Sequence, residues 1–181
     1  VSPGGLAQIL QGIWTWRRHR RGLVTSCVAE SGAYYRSSPE VDLPDMEMEL
    51  VVAIADDHGR KLHRGHGYSA HLLLARPTSV GEVRLASPDT TVPPLIDPKY
   101  LSHPYDMATL VKGTQVALDV MDAPAFDPYR GEMLIPYARN DPAQIEATLR
   151  DHADTEYHPC GTAKMGPADD PMAVVEIGRA H

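Results

Sequence analysis

The stretch DMEMELVVAI, residues 45–54, begins with charged and apolar side chains in alternation and ends in an apolar run. Glu47 and Glu49 separate apolar residues that occupy every second position, namely Met46, Met48, Leu50, Val52 and Ile54. Because successive side chains of a strand point to opposite faces of a sheet, this alternation predicts a β-strand with one buried and one wet face. The fold must therefore supply an apolar layer that covers one side of this strand.

Other segments of the chain show strand and helix periodicity. Residues 68–75 predict a buried strand, and residues 81–87 predict a third strand with Val83 and Leu85 facing inward. Apolar residues at helical spacing predict three helices, at residues 5–18, 105–121 and 140–152. Asp141 is placed to cap the last of them. This order predicts an α+β fold with a mainly antiparallel or mixed sheet flanked by helices.

The composition excludes some classes of function. The 181 residues carry a net charge of −7 and are 43% apolar, which suits one globular domain with a packed core. Phosphate binding needs a basic surface, so nucleic acid is not an expected partner. The one basic run, RRHRR at residues 17–21, is interpreted as a solvated helix end rather than a phosphate or membrane patch. No apolar run reaches the roughly 20 residues of a transmembrane helix.

A group of histidines suggests a metal site as one alternative. His58, His63, His66 and His71 lie close in sequence to Asp56 and Asp57, and imidazole with carboxylate suits zinc or iron. Their spacings match no standard ligand pattern, so a His-rich surface loop is the favoured interpretation. The alternative function is a small metal- or ligand-binding α+β domain that uses these four histidines. Within this stretch GHGYSA, residues 65–70, fits a dinucleotide motif, but a polar loop precedes it where that motif needs a strand.

The decapeptide YHPCGTAKMG, residues 157–166, concentrates residues with chemical and conformational roles. Pro159 biases His158 towards an extended backbone, and nearby glycines permit close approach of a flat ligand. A Cys160 nucleophile served by His158 is disfavoured, because such a base normally comes from a distant part of the chain and an oxyanion hole is also needed. His158 is therefore the candidate catalytic residue, with a histidine satisfied in the core as the structural alternative. Cys27 and Cys160 form no paired motif, which suits a reducing compartment, although one disulfide stays possible.

Four motifs resemble one known family. HPCGTAKMG at residues 158–166 is similar to the H-P-x-G-T-x-x-M-G signature of the glucose–methanol–choline (GMC) flavoprotein oxidoreductases. ARPTSVGEVRLAS at 75–87 resembles the family's R-P-x-S-x-G-x-V-x-L-x-S segment. PLIDPKYLS at 94–102 and ESGAYYRS at 30–37 resemble P-x-I-D-P-x-Y-L-S and E-x-G-x-F-x-R-S. The order of the motifs is also that of the family, with the choline and alcohol dehydrogenase branch as the most similar.

The resemblance implies a function that the residues alone do not give. It implies a two-domain enzyme with an FAD-binding Rossmann-like domain and a substrate domain built on a six-stranded sheet. His158 would take the proton of a primary alcohol, choline-like or other, while hydride moves to FAD. Oxygen or a quinone would accept the electrons. The FAD-binding domain lies outside this chain, so the chain itself is expected neither to bind FAD nor to oxidise alcohols.

The resemblance also implies a position for a substrate contact. Glu30 occupies the place where choline-oxidising relatives put a carboxylate near the substrate cation, although members of other specificity also carry glutamate there. Tyr34 and Tyr35 would assist a cation through their π faces, and core packing explains them equally well. Glu30 is therefore the candidate substrate-binding residue.

The expected domain organisation has three parts. Residues 1–155 are expected to form part of the substrate-binding domain, and residues 156–175 an active-site segment that returns to the FAD-binding domain. Residues 176–181 are expected to be non-biological, because IGRAH is encoded by a run found in a common sequencing adapter, and Ile177 should then be exposed. A second catalytic His or Asn would follow the end of this chain. The expected location is the cytoplasm, or the membrane periphery for a longer enzyme.

Overall fold

The computed structural model of the chain describes residues 3–57, 60–61, 63 and 65–176. Three helices are present in these residues: α1 (Pro3–His19), α2 (Pro104–Met121) and α3 (Pro142–His152). The strands are β1 (Ala29–Tyr35), β2 (Met46–Val51), β3 (Ser69–Leu74), β4 (Glu82–Arg84), β5 (Leu95–Asp97), β6 (Met165–Gly166) and β7 (Val175–Glu176). The predicted exposure of Ile177 concerns a residue outside the described part of the chain. No helix in the described ranges is long and apolar enough to span a bilayer.

The strand at residues 45–54 becomes the centre of the main sheet. β2 pairs antiparallel with β1 on one side and with β3 on the other. It ends at Val51, earlier than predicted, and Val52 is exposed because the chain leaves the sheet there. The remaining strands form an antiparallel β4–β5 pair and a short parallel β6–β7 pair. The α+β prediction is confirmed, although these residues form three small sheets and not one sheet of six strands.

The core lies between β2 and the last two helices. Met46 on β2 is fully buried and packs with Met107 and Leu110 of α2 and with residues of α3, Ile145 and Leu149. Burying side chains of this size contributes about 1.5–3 kcal/mol each. Gly113 of α2 allows the close contact, because a Cβ there would lie 2.4 Å from the Met46 Cε atom. Residues of α2 and α3 thus bury Met46 of β2. Met48 and Leu50 on the same face are only half-buried, as are Glu47 and Glu49, so the contrast between the two faces is weaker than the sequence predicted.

All three predicted helices are present at close to their expected positions. The cap of α3 is as predicted, because an Asp141 Oδ1 atom accepts hydrogen bonds of 3.1 Å from the Ala143 and Gln144 N–H groups. α1 extends slightly beyond the prediction at both ends. β3 differs from its prediction, since all its residues are half-buried and none is fully buried.

The predicted inward orientation of Val83 and Leu85 is wrong. These side chains are 50% and 86% exposed. β4 and β5 form a separate two-stranded sheet. Alternation in the sequence shows which residues share a face of a strand, but it does not show whether another layer covers that face. At Gly81, just before β4, a Cβ would lie 2.3 Å from the Asp97 carbonyl oxygen. Glycine is therefore needed for the close approach of the two backbones.

Two buried carboxylates fasten loops to the core. Asp45 accepts hydrogen bonds of 2.7 Å from both the backbone N–H and the hydroxyl of Ser37. Asp106 accepts bonds of 2.8 Å from the N–H groups of Thr78 and Ser79. Burial by itself would raise the pKa of each carboxyl, but the hydrogen bonds outweigh it and hold the pKa of both below the usual value. Both groups are therefore ionised at neutral pH.

Asp106→Asn tests the contribution of the buried carboxylate. We expect the free energy of unfolding at neutral pH to fall by about 1–3 kcal/mol, because a buried hydrogen bond to a charged group loses its charge. Asp169→Asn, at an exposed position, is the matched control and should change it by less than about 0.5 kcal/mol. Chemical denaturation of both variants measures the difference, and equal effects would contradict the assigned role.

The lowered pKa of Asp45 and Asp106 also predicts the direction of acid sensitivity. A carboxyl with a lower pKa in the folded state stabilises the fold above its unfolded-state pKa, about 4, and loses that stabilisation as the pH falls through the folded-state pKa. We expect unfolding titrations to show decreasing stability below about pH 4. Asp45→Asn and Asp106→Asn should each make that decrease shallower; an unchanged slope would rule out this origin.

Candidate active site

The decapeptide with His158 lies on the surface after the end of α3. Tyr157 has φ +61° and Gly161 has φ +85°, so the backbone is left-handed on both sides of the His-Pro-Cys tripeptide. This conformation is uncommon for a tyrosine, and the Tyr157 N–H donates to the Thr155 Oγ1 atom at 3.0 Å. The imidazole of His158 is therefore held on a short, sharply bent segment.

His158 is exposed and has no polar partner in the described part of the chain. No hydrogen bond or ion pair joins it to a described residue, including Cys160 two positions later. The structural alternative of a histidine satisfied in the core is therefore wrong. An exposed imidazole without a protein partner keeps both ring nitrogens available to a ligand.

Two ion pairs hold the start of this segment against the rest of the domain. The Glu156 Oε1 atom lies 3.3 Å from the His71 Nδ1 atom on β3. An Asp154 oxygen lies 3.8 Å from a guanidinium nitrogen of Arg60, in the loop before β3. Both pairs join residues far apart in sequence, so no motif indicated them. They place the beginning of the His158 segment over the outer face of the main sheet.

The outer face of the main sheet is polar. The strand register places Tyr34, Glu47 and Leu73 side by side, and Glu49 directly opposite His71. A hydrogen bond with Glu47 raises the pKa of the Tyr34 phenol. Met46 of β2 points the other way, into the core. The sheet thus has one face committed to packing and one acidic face near the His158 segment.

The structure separates the two tyrosines that the sequence left equivalent. The hydroxyl of Tyr35 donates to the Gly113 carbonyl at 3.1 Å, and burial, with a smaller effect of Asp45, raises the pKa of Tyr35 to about 12. Tyr35 therefore belongs to the core. Tyr34 is 66% exposed on the opposite face.

Glu30 lies at an irregularity of the main sheet. The register of β1 shifts between Ala29 and Ser31, so Glu30 occupies a β-bulge. Its carboxylate is exposed and accepts a hydrogen bond from the Ser26 hydroxyl. A bulge leaves its residue out of the regular pairing and directs its side chain away from the ladder, so the carboxylate is accessible to a ligand.

Residues 164–166, at the end of the decapeptide, contact the loop that follows them. Lys164 forms an ion pair with Asp170, and the Val174 N–H donates to the Lys164 carbonyl at 2.9 Å. At Gly166, a Cβ would lie 2.8 Å from the Ala173 Cβ atom, so only glycine allows this approach. The signature glycine at this position therefore has a packing role within the segment.

The histidines of the metal alternative do not converge. His63 is 2.7 Å from an Asp56 oxygen, whereas His71 pairs with Glu156. Within the described ranges no group of three or more His, Cys, Asp or Glu side chains is arranged to hold a metal ion. His58 lies outside these ranges. The GHGYSA stretch leads from a loop into β3 and not into a helix, which agrees with the rejection of a dinucleotide motif.

Comparison with known proteins identifies the family. Residues 77–180 match the family model of the GMC oxidoreductases. The alcohol dehydrogenase [acceptor] of Pseudomonas putida is 38% identical over 168 residues, which are 92% of this chain and 30% of that protein. The oxygen-dependent choline dehydrogenase of Sinorhizobium medicae is 40% identical over 164 residues, 89% of this chain and 30% of that protein. The chain belongs to the GMC oxidoreductase family, and it spans about 30% of the length of these curated relatives.

Solved structures show the same fold. Pyridoxine 4-oxidase from Mesorbium loti matches with a TM-score of 0.73 and 27% identity, over 83% of this chain and 30% of that one. A formate oxidase matches with a TM-score of 0.70 over 90% of this chain and 32% of that one, and at 20% identity it supports the fold alone. The α+β fold and the resemblance inferred from the four motifs are both confirmed.

The exposure of the two thiols gives a test that needs only this chain. Cys27 and Cys160 are both free and exposed. Because accessible thiols react through their thiolates, we expect a disulfide-exchange reagent to titrate two thiols per native chain at mildly alkaline pH. Cys160→Ser should leave one. A chain that releases no thiol until it is reduced would indicate a disulfide and contradict this arrangement.

Proposed function

We propose that this chain is part of an FAD-dependent oxidoreductase that oxidises a primary alcohol, with His158 as the acceptor of the hydroxyl proton. The observation that carries the proposal is the imidazole of His158, which is exposed, has no polar partner among the described residues and lies on a bent segment anchored at Glu156. Family membership and the similarity to an alcohol dehydrogenase and a choline dehydrogenase support the reaction class.

The residues of this chain fit one side of a flavin site. Nothing lies within 4 Å of the position that a Cβ would take at Gly161, so the surface beside His158 has room for a flat ring. The described residues contain no strand–glycine loop–helix unit of the kind that cradles dinucleotide phosphates, so a longer polypeptide would hold the phosphates. When bound, FAD supplies the acceptor for the hydride.

The role of His158 follows from the chemistry of alcohols. An alcohol is a poor hydride donor until its O–H is deprotonated or strongly hydrogen-bonded. A neutral imidazole has a ring nitrogen that can accept this proton. The left-handed residues Tyr157 and Gly161 bend the backbone on both sides of His158, which makes the imidazole project from a sharp turn.

Within this proposal the chain has two working parts. Residues 1–155 form part of the substrate-binding domain, and residues 156–175 form the active-site segment. Glu30 is the proposed substrate contact, because its carboxylate is exposed and suits a cationic alcohol such as choline. The acceptor of the electrons is oxygen or a quinone; the names of the relatives include an oxygen-dependent enzyme and one with an unspecified acceptor.

His158→Ala in the full-length enzyme tests the central assignment. We expect flavin reduction by substrate to slow by about 10²–10⁴-fold, the usual contribution of a general base, while FAD stays bound. The parent rate should depend on pH, and the variant should lose that dependence. Stopped-flow absorbance at several pH values measures both effects.

Cys160→Ala is the matched control for this experiment. The thiol is two residues from His158 and equally exposed, but it makes no contact with the imidazole. We expect it to change the rate little. Parent-like flavin reduction in His158→Ala, together with an inactive Cys160→Ala enzyme, would transfer the chemistry to the thiol and refute the proposal.

The 181-residue chain by itself should not retain FAD. The proposal assigns the phosphate contacts to a part of the enzyme outside the described residues, and without them the flavin has too few contacts. We expect the purified chain to lack flavin absorbance and to stay inactive after incubation with FAD and choline. Stoichiometric flavin absorbance in the purified chain would contradict this division of roles.

A further inference from the structure

α1 presents its apolar side to solvent. We call this side the α1 apolar face; it consists of Leu6, Ile9, Leu10, Ile13 and Trp14. These side chains are between 39% and 63% exposed. A helix at the surface of a globular domain normally turns such a stripe towards the core. The α1 apolar face therefore meets no apolar layer in the described part of the chain.

The opposite side of α1 is the one that packs. Gly5 and Gly12 are buried and Thr15 is half-buried. A Cβ at Gly22, in the turn after the helix, would lie 3.3 Å from the Thr15 Cγ2 atom. Thr15 therefore contacts the turn that follows the helix, and the α1 apolar face lies on the side of α1 away from this contact.

A cluster of arginines continues the α1 apolar face at its carboxyl end. Arg17 follows Leu10 and Ile13 by seven and four residues, so it lies on the same line of the helix. Arg17, Arg18 and Arg21 are exposed and form no ion pair with a described residue, and Arg20 stacks over Trp16 at 4.7 Å. In a chain of net charge −7 this is a local concentration of positive charge.

The combination distinguishes among possible partners of this face. The core of a protein interface is depleted of unpaired charge, because burying an unpartnered guanidinium is costly. A bilayer surface instead offers an apolar layer directly beside phosphate oxygens, and both tryptophans of the chain lie in this helix, as suits the headgroup region. Anionic phospholipid is therefore the partner that satisfies both the apolar residues and the arginines.

We propose that α1 is an interfacial helix that binds an anionic bilayer. The α1 apolar face enters the boundary of the acyl chains, and Arg17, Arg18 and Arg21 contact headgroup phosphates. This assignment changes the interpretation of the RRHRR run from a solvated helix end to a lipid-binding site. The assignment of α1 does not depend on the role of His158, so its test is independent of the test of the proposed reaction.

Vesicle co-sedimentation of the full-length protein tests the proposal. We expect it to sediment with vesicles of equimolar phosphatidylcholine and phosphatidylglycerol and much less with phosphatidylcholine alone. Arg17→Gln with Arg18→Gln should weaken binding to the anionic vesicles by about 10- to 30-fold, given the contribution of each cation near such a surface. Leu10→Gln with Ile13→Gln should abolish it. The charge-matched control, Arg84→Gln with Arg150→Gln, alters exposed arginines outside α1 and should leave binding unchanged.

Tryptophan fluorescence of the 181-residue chain gives a second readout. Because Trp14 and Trp16 are its only tryptophans, we expect a blue shift with anionic vesicles and none with neutral ones. Binding by this chain but not by the full-length protein would show that the rest of the polypeptide covers the α1 apolar face, and would overturn the proposal. A dimer that Leu10→Gln dissociates, without vesicle binding, would overturn it in favour of a second copy. Equal binding to both vesicle types would refute the role of the arginines.

Discussion

The packing of α2 and α3 against one face of β2 is the interaction on which the rest of the structure depends. Met46 is fully buried there, and the main core residues come from these elements. Gly113 brings the backbone of α2 close to the sheet, and the hydroxyl of Tyr35 is bonded to that same residue. Since strand side chains alternate, burying this face directs Glu47 and Glu49 to the other one.

The outer face of the sheet is consequently available for the segment that carries His158. The segment begins at the end of α3, and Ile145 and Leu149 pack that helix into the core. The contact between Glu156 and His71 then joins the start of the segment to β3. An exposed ion pair of this kind contributes little stability, so its effect is on position and not on folding. Packing on one face thus leaves the other face free to hold Glu156, two residues before the candidate catalytic residue.

Large apolar side chains outside the core are exposed in several parts of the chain. α1 and the β4–β5 pair expose large apolar side chains, such as Trp14 and Leu85, that a self-contained domain would cover. The chain spans about 30% of its curated relatives, and uncovered surface of this kind is where contacts beyond the described residues would form. Among the described residues only α1 joins its apolar surface to a cluster of arginines, which is why we propose a lipid partner for this helix.

The sequence by itself determined the three helices, the strands β2, β3 and β4, the family and the candidate residue His158, because periodicity, caps and motifs are local properties. It did not predict β1, β6 or β7. It predicted all three helices and the central strand, and the cap at Asp141 is formed as expected. Only the tertiary structure decided which faces are covered: Val83 and Leu85 are exposed, Tyr35 is in the core and Tyr34 is not. It alone brought Glu156 to His71, since contacts between distant residues depend on how the layers pack, which no local pattern records.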